Sequence, residues 1–115
     1  MRGVPESVRV AAEAALTKKA SDVVILDVSG ESAFVDFFVV ASGDNQRQLV
    51  AIVDAVDAAL REAHLRPSHV EGYPRQEWVL MDYGAFLVHV FTPGRREFYG
   101  LERLWGDAKR LEVSG

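Results

Sequence analysis

Cysteine is missing from this sequence, and its absence removes several kinds of chemistry at once. Without a thiol there is no disulfide, no thiolate nucleophile and no metal site built on cysteine. The sequence also has no apolar run of about 18 residues, the length that a membrane-spanning helix needs. The N-terminal stretch carries Glu6 and Glu13 and no long apolar core, which argues against a signal or transit peptide. We therefore expect a cytoplasmic protein that is not inserted in a membrane.

Basic residues are also in short supply. The 13 lysines and arginines stand against 17 acidic residues, and the formal net charge is −4. The basic side chains form scattered pairs, Lys18–Lys19, Arg95–Arg96 and Lys109–Arg110, and no tract. A nucleic-acid-binding protein usually has a basic stripe that neutralises phosphates. The composition therefore disfavours nucleic-acid binding as the main activity, and an acidic surface suits a basic protein partner.

The apolar content is sufficient for one folded domain. Of the 115 residues, 49% are hydrophobic and 26% are charged, which is typical of a soluble globular protein. A chain of this size buries roughly 65% of the surface that it exposes when unfolded. We predict a single domain over residues 1–115.

The most apolar stretch predicts a β-hairpin. Two runs rich in β-branched and aromatic residues, Trp78–Tyr83 and Ala85–Phe91, flank Gly84. Glycine can take a positive φ without a Cβ clash, so a tight turn is expected there. Both faces of this hairpin are largely apolar, which predicts a position well inside a sheet.

Strand alternation divides the first arm of the hairpin into two faces. Trp78, Leu80 and Asp82 share one face, and the residues between them share the other. The second set consists of Val79, Met81 and Tyr83. We expect the first face to be available to a partner and the second to pack on helices, although apolar residues on both faces leave the reverse assignment open.

Periodicity elsewhere predicts three helices and three further strands. The longest helix has an apolar stripe at helical spacing, with Ser42 or Asp44 as its N-cap and Pro67 as its stop. The stripe consists of Leu49, Ile52, Val53, Val56 and Leu60. The other predicted helices are one over Pro5–Lys19 and a short final one that begins at Thr92–Pro93. The apolar face of the final helix carries Phe98, Leu101, Leu104 and Trp105. The remaining predicted segments are strands over Val23–Val28, Phe34–Ala41 and Ser68–Gly72, a turn over Ser29–Ser32 and a loop over Tyr73–Gln76.

The element order is α, β, β, α, β, β, β, α. Helices interspersed with strands predict an α/β domain, here a mixed five-stranded sheet with helices packed on it. The long helix is expected to make a right-handed crossover between the second and third strands. The tail from Asp107 is expected to fray.

Three carboxylates at strand ends raise the possibility of catalysis. Asp27, Asp36 and Asp82 each lie in or next to an apolar strand, and a metal-dependent nucleotidyl transferase holds Mg²⁺ between such groups. They come from different strands, without a close Asp-x-Asp pair. The pattern therefore favours strand ends and turn caps over a metal site.

Other polar and aromatic residues also have two interpretations. His89 lies between two valines without a second histidine at ligand spacing, which favours a buried histidine over a base or metal ligand. The segment Ser42–Asn45 precedes a helix, where an anion can bind, but ordinary capping needs only these residues. Four aromatics are equally suited to a core or to an interface: Trp78, Tyr83, Tyr99 and Trp105.

Four segments together resemble one protein family. They are DFFVVASGDNQRQ at 36–48, VEGYPRQEWVLMDYG at 70–84, VHVF at 88–91 and REFYGLERLWGDA at 96–108. In this order and spacing they resemble the ribosomal silencing factor, or Iojap-like, family over residues 7–108. The last segment is the most specific. Phe37 and Ala85 depart from the tyrosine and aspartate that the family commonly has, and Ala85 removes an acidic group beside the hairpin turn.

The resemblance implies a function that composition and spacing do not reveal. Family members bind the large ribosomal subunit through its ribosomal protein fourteen, on the face that meets the small subunit. Binding sterically blocks subunit joining and represses translation when nutrients are short. The implied fold is an α/β sandwich related to nucleotidyl transferases. The family has no known catalytic activity, and the resemblance implies no cofactor or metal. Members are often homodimers off the ribosome, and contact with ribosomal RNA is expected to be at most secondary.

The resemblance and the aromatic pattern together indicate a partner-binding surface. It is centred on the hairpin and the loop before it, with the final helix as the next candidate. The alternative function is a small Mg²⁺-dependent nucleotidyl transferase. The predicted partner-binding residues are Glu71, Tyr73, Trp78, Leu80, Asp82, Tyr83, Tyr99 and Trp105.

Overall fold

The described part of the structure contains two helices and six strands. A computed structural model describes residues 3–30, 33–72, 77–92 and 109–113. The elements are α1 (Glu6–Thr17), β1 (Ser21–Asp27), β2 (Phe37–Ser42), α2 (Gln46–Glu62), β3 (His69–Glu71), β4 (Trp78–Asp82), β5 (Phe86–Phe91) and β6 (Lys109–Glu112). The predicted loop over Tyr73–Gln76 and the predicted final helix lie outside the described residues.

All six strands join one mixed sheet in the order β3-β4-β5-β2-β1-β6. The β2–β5 pair is parallel and the other neighbouring pairs are antiparallel. This confirms the α/β class and the hairpin, whose turn contains Gly84 at a φ of 88°. Helix α2 connects β2 to β3, which run in the same direction with β5 and β4 between them. The handedness of this crossover and the relation to nucleotidyl transferases stay predictions.

The expected count of five strands and the expected frayed tail were wrong. Strand β6 pairs antiparallel with β1, with Leu111 opposite Ile25. The side chain of Leu111 packs on the main core, and Val113 N–H donates to the Val23 carbonyl at 2.8 Å. Lysine, arginine and glutamate have weak strand propensity, so the pairing depends on the free edge of β1 and not on local sequence.

The two helices cover one face of the sheet. The five residues of the α2 stripe are all 5% exposed or less, which confirms the predicted amphipathic face. They form one cluster with buried residues of α1, among them Val8 and Ala12, and with the β4 and β5 residues Val79, Met81 and Val88. A second, smaller cluster on the opposite face consists of Val24, Leu26, Val28, Phe38, Val40 and Phe91.

The N-cap of α2 is neither of the two predicted residues. The Asn45 side chain accepts a hydrogen bond from Gln48 N–H at 2.9 Å, while Gln48 Oε1 accepts one from Asp44 N–H at 2.6 Å. Ser42 is drawn into β2 instead and is buried there, opposite Phe91 of β5. The side-chain Nε2–H₂ of Gln48 also donates to the backbone carbonyls of Lys18 and Lys19, which connects the start of α2 to the end of α1.

The end of α2 and the start of β2 also differ from expectation. Helix α2 ends at Glu62, well before Pro67, because His64 takes a left-handed φ of 65° and Leu65 N–H bonds back to the Leu60 carbonyl at 2.8 Å. Strand β2 begins at Phe37 and not at Phe34, whose side chain is 90% exposed. In both places the apolar pattern continues past the point where backbone geometry changes.

Candidate functional site

The candidate residues of β4 lie on the sheet face turned away from the helices. Val79 and Met81 are buried in the core beneath α1 and α2, whereas Trp78, Leu80 and Asp82 are only partly buried. Trp78 packs against the second cluster, on the opposite face. Alternation along one strand therefore separates the residues as the sequence predicted, and this face holds the candidate surface.

Pairing with β3 adds an acidic edge to this face. Glu71 lies opposite Leu80 and His69 lies opposite Asp82, so these side chains project on the same side of the sheet. Glu71 and His69 are both exposed, and Glu71 Oε1 lies 3.2 Å from His69 Nε2. The sequence did not identify His69 as part of this surface, since the register of a three-residue strand is not visible in its pattern.

An open depression of about 350 Å³ lies in the candidate surface. It is lined by Glu71, Gly72, Trp78 and Leu80. The indole and the leucine form an apolar wall, and the glutamate adds a negative charge at the rim. A lysine or arginine side chain suits such a site, because its methylene stem packs on apolar surface while its cationic head meets an aromatic ring and a carboxylate.

Aromatic and imidazole rings support Trp78 from within the sheet. The indole stacks on Phe91 and His89 with ring centroids 5.4 and 5.8 Å apart, and its Nε1–H donates to His89 Nδ1 at 3.1 Å. His89 is 4% exposed, and this burial lowers its pKa to about 4. Its ring is therefore neutral at pH 7, and Nδ1 is available as an acceptor. This agrees with the buried histidine that the sequence favoured.

Tyr83 lies away from the depression. Its ring stacks on Phe86 at 5.1 Å and packs against the helix-covered core. Burial raises its pKa, and the nearby Asp57 carboxylate adds to the effect. Its role in partner binding stays a prediction, and it requires a partner that reaches around the β4–β5 turn. Tyr73, Tyr99 and Trp105 lie outside the described residues.

The three strand-end aspartates do not converge. Asp27 accepts hydrogen bonds from Ser29 N–H at 3.1 Å and Ser29 Oγ–H at 2.6 Å, which lower its pKa. Asp82 Oδ1 accepts one from Gly84 N–H at 2.8 Å, so both aspartates stabilise turns. Strands β2 and β5 separate Asp27 from Asp82 by about 14 Å, three strand spacings.

Mg²⁺ needs oxygen ligands at about 2.0–2.1 Å, and two aspartates as far apart as Asp27 and Asp82 cannot both supply them. Asp36, the third carboxylate, is exposed just before β2. Within residues 3–30, 33–72, 77–92 and 109–113, no group of three histidine, aspartate or glutamate side chains is placed to hold a metal ion. The transferase hypothesis thus gains no support from the described carboxylates.

Fold and surface together define a small α/β protein with a partly exposed aromatic and acidic surface at one edge of its sheet. In the parts of the chain that the structure describes, neither helix is long and apolar enough to cross a membrane. Residues 2–115 match the family model described as ribosomal silencing factor during starvation. The chain belongs to this ribosomal silencing factor family.

Individual relatives agree with this assignment. A ribosomal silencing factor of Halalkalibacterium halodurans is 38% identical over 110 residues, which are 96% of this chain and 94% of that protein. A crystal structure of a Chromobacterium violaceum protein is 36% identical with a TM-score of 0.86, covering 96% of this chain and 92% of the other. A mouse protein named mitochondrial assembly of ribosomal large subunit protein 1 is 31% identical over 91 residues, which are 76% of this chain and 40% of the mouse protein.

Proposed function

We propose that this protein binds the large ribosomal subunit in the cytoplasm, through ribosomal protein fourteen of that subunit, and represses translation when nutrients are limiting. The observation that carries the proposal is the family match over residues 2–115. The name of the mouse relative, which refers to the large subunit, supports that choice of subunit. The acidic net charge of −4 suits a basic ribosomal protein as the direct partner, with ribosomal RNA at most a secondary contact.

The contact surface in this proposal is the depression beside β3 and β4. Trp78 supplies an aromatic anchor that is already partly buried, and Leu80 extends the apolar area. Binding energy at protein interfaces concentrates in a few such anchors surrounded by weaker contacts. Glu71 at the rim supplies the charge that selects a basic side chain of the partner. Asp82 adds a second acidic group on the same face.

The mechanism is steric in this proposal and requires no catalysis. The protein measures about 34 × 33 × 27 Å. A typical specific interface buries about 800 Å² on each partner, which a body of this size can supply while the rest of it projects from the subunit. When that body lies on the face that meets the small subunit, the two subunits cannot close on each other.

Co-sedimentation with purified ribosomal subunits tests the proposal directly. The protein is expected to pellet with large subunits and to stay in the supernatant with small subunits. Equal pelleting with both would contradict a large-subunit partner. A joining assay then tests the mechanism: large subunits loaded with the protein before small subunits are added should form fewer joined ribosomes on a sucrose gradient than unloaded subunits do.

A transfer assay separates steric action from catalysis. The protein is incubated with Mg²⁺ and labelled nucleotides, with and without ribosomal subunits. No transfer is expected. Mg²⁺-dependent nucleotidyl transfer that an Asp36→Ala variant loses would overturn the proposal that the protein acts by occupying a surface.

A further inference from the structure

A buried histidine beneath Trp78 is not accounted for by packing alone. His89 lies in β5, 4% exposed, with its ring edge-on to Phe38 at 4.9 Å and nearly parallel to Phe91 at 6.1 Å. Its Nδ1 accepts the Trp78 indole N–H at 3.1 Å. Its Nε2 is also buried and has no hydrogen-bond partner among the residues that the structure describes.

The unpaired nitrogen indicates that His89 lowers the stability of the fold. Because Nδ1 is an acceptor, the neutral imidazole carries its proton on Nε2, which leaves a buried donor unpaired within the described residues. A buried donor without an acceptor is destabilising. Phenylalanine would fill the same space between Phe38 and Phe91 without that cost. Unlike phenylalanine, histidine supplies an acceptor for the indole of Trp78.

The hydrogen bond acts on the residue that forms a wall of the depression. Trp78 lies directly opposite Phe91 in the β4–β5 register, and His89 is its diagonal neighbour opposite Leu80. The indole is nearly parallel to both rings, at interplanar angles of 11° and 18°. A tryptophan side chain has two rotatable bonds, so stacking along its ring and a hydrogen bond at its N–H together define its orientation. A side chain held in its bound orientation loses less entropy when a partner binds.

We propose that His89 is a positioning residue for partner binding: it accepts the indole N–H of Trp78 and so holds the indole wall of the depression in place before the partner arrives. The binding part of this inference rests on the proposed function. The positioning part concerns the free protein and can be measured without ribosomes.

Three substitutions separate the packing of the imidazole ring from the hydrogen bond that its Nδ1 accepts. His89→Phe keeps a ring for stacking and removes the acceptor. His89→Asn removes the ring and retains an acceptor, because the asparagine Oδ1 can occupy nearly the position of Nδ1. Trp78→Phe removes the donor. The first two are a matched pair, since a purely structural role predicts that the ring matters and the acceptor does not.

The first readout is the indole ¹⁵N–¹H signal of the free protein. The two tryptophans give two indole signals, and the one missing in Trp78→Phe belongs to Trp78. We expect its proton to exchange with water about 2- to 10-fold faster in His89→Phe, the range of a typical hydrogen bond, and to regain protection in His89→Asn. If the wild-type Trp78 proton exchanges as fast as that of free tryptophan, the inference is wrong, whether or not any variant folds.

The second readout is a double-mutant cycle on binding to large subunits. In the wild-type background, His89→Phe is expected to weaken binding about 2- to 10-fold. In the Trp78→Phe background the same change should have no further effect, because the donor is already gone. Equal effects in both backgrounds would overturn the inference. If wild-type protein does not bind large subunits, the proposed function fails, while the exchange experiment still decides whether His89 positions Trp78.

Discussion

The two faces of the sheet show how one strand can serve two purposes. On the helix-covered face, Val79 and Met81 of β4 are at most 1% exposed and pack in the apolar main cluster. On the other face, the neighbouring residues Trp78 and Leu80 are half-buried and border the exposed carboxylate of Glu71. Packing stabilises the first face, whereas the second leaves apolar area and charge partly exposed to solvent. In the proposed function, stability and recognition are thereby divided between alternate residues of β4.

Replacing neighbours in β4 is the strongest way to break this comparison. Met81→Ala removes a fully buried side chain beneath the helices, and we expect it to lower the free energy of unfolding by about 2–5 kcal/mol. Leu80→Ala, one residue earlier on the other face, should cost about 1 kcal/mol because its side chain is only partly buried. Urea denaturation with an unchanged m-value measures both. Equal losses would show that the two faces carry the same structural weight.

Acidification tests the part of the second face that is buried. Burial lowers the pKa of His89 from 6.5 to about 4, so between these values the unfolded chain takes up a proton that the folded chain does not. The contribution of neutral His89 to the free energy of unfolding should therefore be fully present above pH 6.5. It should fall as the pH drops from 6.5 to about 4, by about 3 kcal/mol in total. Asp27, whose pKa is lowered, adds a loss only below its ordinary value of 3.8.

The His89→Phe variant is the control for this titration. It has no ionisable group at that position, so its unfolding free energy should change less between pH 6.5 and pH 4 than that of the wild type. Thermal or urea unfolding at half-unit pH steps measures the difference. Parallel curves for the two proteins would mean that His89 does not titrate differently in the folded and unfolded states.

Removing the aromatic anchor tests the exposed part of the second face. Trp78→Ala should weaken binding to large subunits by about 2 kcal/mol, or roughly 30-fold, if Trp78 is an anchor. Circular dichroism and a thermal melt must first show that the variant is folded. If it melts like the wild type and binds equally well, the binding surface lies elsewhere, and the predicted final helix with Tyr99 and Trp105 becomes the next candidate.

The main elements could be predicted because local pattern and tertiary packing agree there. The α2 stripe and the alternation of β4 follow directly from residue spacing, and Gly84 marks the hairpin turn. Strand β6 could not be predicted, because its charged residues have weak strand propensity and form a strand only by pairing with the edge of β1. The N-cap was missed for a similar reason: pairing with β5 takes Ser42 into β2 and leaves Asn45 to begin the helix.

The candidate site was only partly visible in the sequence. Alternation placed Trp78 and Leu80 on one face, but only the register Glu71–Leu80 brings an acid from β3 to them. The hydrogen bond between Trp78 and His89 also depends on register, since the two residues come from different arms of the hairpin. Such contacts depend on the pairing register of neighbouring strands, and the sequence of a strand as short as β3 does not specify its register.

The smallest expected effect separates charge from apolar contact at the depression. Glu71→Gln removes a negative charge at the rim, and Glu13→Gln makes the same change on an exposed position of α1, so the two variants have equal net charge. If Glu71 meets a basic side chain of the partner, only Glu71→Gln should weaken binding, by about 1 kcal/mol. Exposed charges are screened over about 8 Å at physiological ionic strength, so the affinity of Glu71→Gln should also depend less on salt than that of the wild type and of Glu13→Gln. Binding measured at low and high salt for all three proteins decides the matter. An identical salt dependence would place the basic side chain of the partner away from Glu71 and leave Trp78 and Leu80 as a purely apolar contact.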